Sequence, residues 1–157
     1  MGPSSLSLLS ALAITSGSLP DAGAAAATVQ SYFALRTRRD QAGITAITIP
    51  TGKLTRIRFN EAGIPEFRYA TWADLIPGIG RNPAILREVM HDTSVSVVGP
   101  LATVSGSFSV WIDARFAYCG ANTFELVNQN GRWLIVNVTW TERTTECPGA
   151  ASRPPAE

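Results

Sequence analysis

The chain has 157 residues, 45% of them hydrophobic and 16% charged, which suits one domain with a single core. Thirteen Lys plus Arg stand against 12 Asp plus Glu, and a formal net charge of +1 provides no basic field to hold a phosphate backbone, so nucleic acid is excluded as a partner. Two cysteines without a CxxC spacing and a single histidine exclude an ordinary zinc site.

Residues 1–26 differ in composition from the rest of the chain. SLSLLSALAI, residues 5 to 14, is an apolar run of signal-peptide length, and Ala22-Gly23-Ala24 offers the small-x-small pattern a signal peptidase accepts. The run is too short to span a bilayer. Against a signal peptide, the segment ahead of the run contains no Lys or Arg. Export to the periplasm or outside the cell is therefore expected, with a cytoplasmic protein carrying a flexible leader as the alternative.

A helix is expected from about Ala24 to Arg39, built on an alanine run and closed by Asp40-Gln41-Ala42-Gly43 as a stop. Val29, Tyr32, Phe33 and Arg36 share one face, which puts a phenol into an apolar stripe. Arg36, Arg38 and Arg39 read as a solvated helix end that complements the macrodipole. KLTRIRF and IPEFRYA read as strands on either side of the turn Asn60-Glu61-Ala62-Gly63, the second an edge strand that tolerates Pro65. Thr71 and Asp74 form a capping box that starts the short helix WADLI, which Pro77-Gly78 ends. Gly78-Ile79-Gly80 lacks the strand-to-helix setting of a phosphate loop, and no cofactor is expected.

Three long strands come next: AILREVMHDTSVSVVG, then LATVSGSFSVWID, then FAYCGANTFELV, joined by Gly99-Pro100 and a tight turn near Ala114-Arg115. With RWLIVNVTWTE after Asn128-Gln129-Asn130-Gly131, they make an antiparallel meander. On the last strand one face is wholly apolar, Leu134, Val136, Val138 and Trp140; the other, Trp133, Ile135, Asn137 and Thr139, is mixed. A three-residue loop with Gly131 left-handed would set Leu126 against Leu134, Phe124 against Val136 and Asn122 against Val138, gathering one apolar surface. Asn122 then points inward, where an unpaired amide costs about 1 to 3 kcal/mol, and Tyr32 is its expected partner. The tail, residues 148–157, is proline-rich and expected to be disordered.

Cys119 and Cys147 either pair, closing a loop of about 28 residues worth roughly 3 kcal/mol, or remain as a buried thiol and a free surface thiol. Compartment decides between the two.

The amphipathic helix ending in Arg-Asp, the short second helix and the long meander together resemble the nuclear transport factor 2-like, or SnoaL-like, superfamily. The likeness is strongest to small bacterial proteins of unknown function that carry the pattern seen here as VSVVGPLATVSGSFSVWID, YCGANTFELV and GRWLIVNVTWTER followed by Cys147. It spans residues 27–147 as one domain. The resemblance implies an α+β, cone-shaped roll in which a curved antiparallel sheet wraps the N-terminal helix around an apolar pocket. It also implies a homodimer through the outer sheet face, where Trp133 and Ile135 would seed the interface. The segment VQSYFALRTRRD resembles the first helix of the ketosteroid isomerases in this superfamily. That likeness puts Tyr32 at the oxyanion-hole tyrosine and Asn122 at the sheet acid.

No carboxylate stands in KLTRIRF to serve as the isomerase base, and Asp40 and Glu61 fall at element ends. His91 beside Asp92 is the remaining candidate base, since related dehydratases in the superfamily use a His-Asp pair; adjacent strand residues, however, point to opposite faces. The preferred reading is a small apolar molecule bound without catalysis by Tyr32, Phe33, Phe124, Val136, Val138 and Trp140, with Tyr32 and Asn122 as polar anchors. The alternative is an isomerase, cyclase or dehydratase using Tyr32, Asn122 and His91. A third is a dimerisation module whose pocket is filled by its own side chains.

Overall fold

The computed structural model describes residues 22–147. Of the leader reading, residues 1–26, and the disordered-tail reading, residues 148–157, only residues 22–26 are described, and they are helical. The first helix, α1, runs Ala22–Arg38 and buries Ala25, Val29, Tyr32 and Phe33, the 3.6-residue stripe expected. Arg36 and Arg38 occupy its last turn. Arg39 ends it in the left-handed region (φ 59°). Asp40 donates its backbone N–H to Leu35 O and Arg39 donates to Arg36 O, each at 3.0 Å, which is the Schellman pattern without glycine.

Asp40 is also where expectation and structure diverge. The Asp40-Gln41-Ala42-Gly43 stretch does stop α1, but it opens a second helix, α2 (Gln41–Ala46), with the Asp40 side chain accepting from Gly43 N at 2.8 Å. An aspartate at a helix start caps as readily as it breaks, because its oxygen takes an otherwise orphan N–H. The expected capping box at Thr71 and Asp74 is present on α3 (Trp72–Leu75), followed by a 3₁₀ turn at Ile76–Gly78.

Six strands, β1 (Lys53–Phe59), β2 (Pro65–Thr71), β3 (Leu86–Val98), β4 (Leu101–Ile112), β5 (Arg115–Gln129) and β6 (Arg132–Glu142), form one sheet in the order β2-β1-β6-β5-β4-β3. The sheet is mixed: β3 to β6 make the antiparallel meander, whereas β1 runs parallel to β6. β2 is an edge strand, as Pro65 suggested. Glycine lets backbones approach where the sheet bends: a Cβ on Gly120 would lie 1.9 Å from Thr141 O, and one on Gly106 2.5 Å from His91 O.

The β5–β6 register differs from the expected one. Gln129 pairs with Arg132, so the loop has two residues, Asn130 and Gly131, both at positive φ (54° and 81°). A primed Asn-Gly turn matches strand twist better than the longer loop. Leu126 then faces Ile135, and a bulge moves the pairing to Glu125 with Asn137, Phe124 with Val138 and Asn122 with Trp140. The extra residue, Val136, switches which face of β6 looks inward. Trp133 (5% exposed) and Ile135 (0%) therefore belong to the core instead of an outer dimer surface. The larger exposed apolar side chains include Phe59, Phe67 and Tyr69 on the β1–β2 ribbon.

Cys119 and Cys147 are joined in a disulfide, which settles the pairing left open. The backbones of Cys119 and Arg143 exchange both hydrogen bonds at 2.9 Å, so the cross-link and this bridge together hold residues 143–147 against β5. Replacing both cysteines with serine should cost about 3 kcal/mol by the loop-entropy argument. Urea unfolding of the variant and of the reduced wild type should show matching losses; an unchanged midpoint would mean that the bond does not constrain the unfolded chain.

Candidate functional site

The register places side chains on the concave face of the sheet in transverse rows, each running across the strands beneath α1. One row is apolar: Ala70, Leu54, Val138, Phe124, Val104 and Val95. The next is mostly polar: Arg68, Arg56, Trp140, Asn122 and Gly106. Beyond it Glu66, Arg58 and Glu142 stand side by side, and Tyr118, Val110 and Glu88 form a further row. Between these rows and α1 lies a cavity of about 180 Å³, lined by Tyr32, Arg36, Arg56, Glu88, Tyr118, Asn122, Trp140 and Glu142 together with apolar neighbours.

Tyr32 is fixed by aromatic packing. Its ring meets Trp72 edge-on at 5.4 Å and Phe124 at 5.8 Å. Its hydroxyl oxygen accepts from Arg36 at 3.1 Å, one helical turn on. The phenol therefore keeps its own proton to donate. Burial pushes the Tyr32 hydroxyl above its ordinary pKa; Arg36 opposes this and Glu88 adds to it. The phenol is neutral at physiological pH.

Asn122, 3% exposed, points inward as expected, but its partner is not Tyr32. Its Nδ2 donates to Glu88 Oε1 at 3.4 Å, and its Oδ1 is buried with no partner among the described residues. Burial is the main cause that raises the Glu88 carboxyl, against the lowering effects of Arg36 and of Asn122. Glu142, 7% exposed, accepts from Trp140 Nε1 at 2.9 Å and pairs with Arg58. Burial likewise lifts the Tyr118 hydroxyl, with Glu88 and Glu142 adding to the effect.

The cavity thus combines hydroxyl donors at Tyr32 and Tyr118, an unfilled acceptor at Asn122, and a carboxyl at Glu88 that can change protonation state. The carboxyl that KLTRIRF does not supply thus reaches the cavity from β3. Of the expected lining, Tyr32, Phe124, Val138 and Trp140 are in place. Phe33 instead packs against Phe124 at 5.6 Å within the core, and Val136 sits at the bulge; neither lines the cavity. His91 is displaced more seriously. Alternation along β3 turns Glu88 toward the cavity and His91 to the opposite face, where its Nε2 lies 2.9 Å from Ser109 Oγ. His91 cannot serve this cavity as a base. Among the described residues, no three His, Cys, Asp or Glu side chains gather as a metal ion would require.

Glu88 and Glu142 escape the sequence reading, although each carries a signal. Glu88 alternates with Leu86 and Met90, and Glu142 with Val138 and Trp140, so both are carboxylates on an otherwise apolar strand face. Arg36 shares the stripe of Tyr32 and faces the cavity with it, instead of belonging to a solvated helix end.

The sequence matches no protein-family model and no curated protein. Solved structures match over most of its length. An NTF2-like protein from Cytophaga hutchinsonii is 12% identical, with 75% of this chain and 94% of that one covered at a TM-score of 0.60. A protein of unknown function with a cystatin-like fold from Nostoc punctiforme is 13% identical, covering 76% and 89% at 0.59. A candidate dehydratase of the NTF2-like family from Streptomyces avermitilis is 9% identical, covering 78% and 96% at 0.61.

A raised carboxyl has a stability consequence of definite sign. Between the ordinary glutamate value of 4.5 and the higher value of Glu88 in the folded chain, the folded state binds more protons than the unfolded state, so stability falls as pH rises through that window. Glu88→Gln should therefore be more stable than wild type at neutral pH, and the gap should close on acidification below 4.5. Urea unfolding of both proteins across pH measures this; a gap that widens on acidification contradicts it. The helix and the curved sheet, matched over most of the chain in these structures, give it the nuclear transport factor 2-like fold.

Proposed function

We propose that this protein binds a small organic molecule in the cavity between α1 and the concave sheet face, with Tyr32 and Asn122 as polar anchors. The supporting observation is the carbonyl oxygen of Asn122, buried at the cavity wall with no donor among the described residues. Leaving such a group unpaired costs about 1 to 3 kcal/mol, which a donor inside the cavity would offset. At about 180 Å³ the space is below the roughly 300–1,000 Å³ of drug-sized sites, so the ligand is small. The polar lining favours a molecule that donates to Asn122 and accepts from Tyr32 over the wholly apolar ligand first expected. The Cys119–Cys147 bond supports an exported protein, because disulfides persist in oxidising compartments.

A second reading, an isomerase or lyase acting by proton transfer, draws support from Glu88. A carboxyl with a raised pKa facing the same cavity as a phenol donor is a candidate base, and it takes the role first given to His91. The name of the Streptomyces avermitilis neighbour points the same way.

Native mass spectrometry of the purified protein tests the binding reading. One retained small molecule is expected, lost in Asn122→Leu. Tyr32→Phe should lower stability by about 1 kcal/mol, the worth of one hydrogen bond, and weaken retention of that molecule without abolishing it. A loss of about a thousandfold in turnover for Tyr32→Phe and Glu88→Gln would establish the enzyme reading instead. No retained molecule, with a folded chain and no response to a ligand screen, would favour a cavity filled by its own side chains.

A further inference from the structure

We infer that the ligand is a small monocarboxylate bearing a hydroxyl or N–H group, its carboxylate held by Arg56 in the cavity wall and by Arg68, directly opposite it on β2, and its donor on Asn122 Oδ1. This rests on the binding reading above and names the ligand class.

Most charges on the concave face have a partner of opposite sign. Glu88 lies in the field of Arg36 and accepts from Asn122. Glu142 pairs with Arg58 and accepts from Trp140. Glu66, exposed on the edge strand, stands opposite Arg58 in register. Arg56 and Arg68 remain, and they are directly opposite one another across β1 and β2. Among the described residues neither has a hydrogen bond or ion pair to a carboxylate. Two like charges facing each other on one side of an antiparallel pair destabilise it, unless an anion bridges them. Guanidinium forks are suited to that task, since each can meet a carboxylate through two parallel N–H donors.

Position connects this clamp to the orphan acceptor. Arg68, Arg56, Trp140 and Asn122 occupy four successive strands in one transverse row. Arg56 and Asn122 are therefore two strand spacings apart, about 10 Å between backbones, with the Trp140 ring between them. Trp140 is oriented by its bond to Glu142, which leaves its ring as a wall of the cavity. A short molecule lying along this row reaches Arg56 with one end and Asn122 with the other. Glu88 and Glu142 border the same space and would repel a dianion, so a single carboxylate suits the site better than a phosphate.

Isothermal titration of the full chain with a panel of three- to five-carbon hydroxy- and aminocarboxylates, each beside its amide and its analogue lacking the donor, tests the assignment. At least one acid should bind about tenfold or more tightly than both analogues. Arg56→Gln and Arg68→Gln should each remove about tenfold of that affinity and leave the amide unaffected. Asn122→Leu should erase the difference between the acid and its donor-free analogue. Arg68→Glu, which places opposite charges where like charges stood, should raise the Tm of the ligand-free protein by about 1–3 °C while abolishing acid binding. Equal affinity for acids and amides overturns the clamp and leaves the binding reading intact, as does native mass spectrometry that returns a neutral or phosphorylated molecule. An unchanged or lowered Tm for folded Arg68→Glu removes the repulsion on which the clamp rests. Failure of every probe together with no retained molecule removes both readings.

Discussion

The pairing of β5 with β6 carries two devices in series, the two-residue turn at Asn130-Gly131 and the one-residue bulge at Val136. The turn sets Trp133 and Ile135 inward against Leu126; the bulge then shifts phase, so that Val138 and Trp140 also face inward. An unbroken strand can present only one alternating set to a core. The bulge lets β6 fill the closed end of the cone with large apolar groups and still deliver Trp140 and Glu142 to the cavity. Because β6 also pairs with β1, the same shift fixes where Arg56 and Arg58 stand. The rows that contain Val138, Trp140 and Glu142 inherit their composition from that one extra residue.

Polar groups on a mainly apolar face are expensive to desolvate, and their arrangement shows how the cost is shared. Arg36, Tyr32, Glu88 and Asn122 form a chain of contacts or fields from the helix to the sheet, and Arg58, Glu142 and Trp140 form another from β1 to β6. Replacing such groups by well-packed apolar ones is often neutral or stabilising, so their presence is weak evidence for a purely structural role. Asn122 makes the contrast sharp. Its donor side has a partner, and its acceptor side has none. A core asparagine kept only for packing would be expected to satisfy both ends.

The fold itself does not choose among functions. Structures with similar architecture include proteins of unknown function and a candidate dehydratase, all at identities where only the fold is shared. Function therefore has to be sought in particular side chains and in what each leaves unpaired. Glu88 keeps a proton-transfer reading open, whereas Arg56, Arg68 and Asn122 speak to recognition. Glu88, Arg56 and Asn122 line the same cavity and Arg68 stands opposite Arg56, so a ligand that satisfies the second set would lie within reach of the first.

The sequence by itself determined most of the elements and their order: the buried stripe of α1, the capping box at Thr71 and Asp74, the edge strand beginning at Pro65, and the meander. Each depends on periodicity or turn chemistry within a few residues. It also carried a family resemblance sufficient to propose the cone. Tertiary structure decided what lay between distant strands: that β1 would pair parallel with β6, that His91 would turn away, and that Glu88 and Glu142 would join Tyr32 around one cavity. The physical reason is that strand side chains alternate with a period of two, so a single bulge inverts every face beyond it. A bulge is set by the competition between a turn, a core and a neighbouring strand, and no local stretch of residues contains all three.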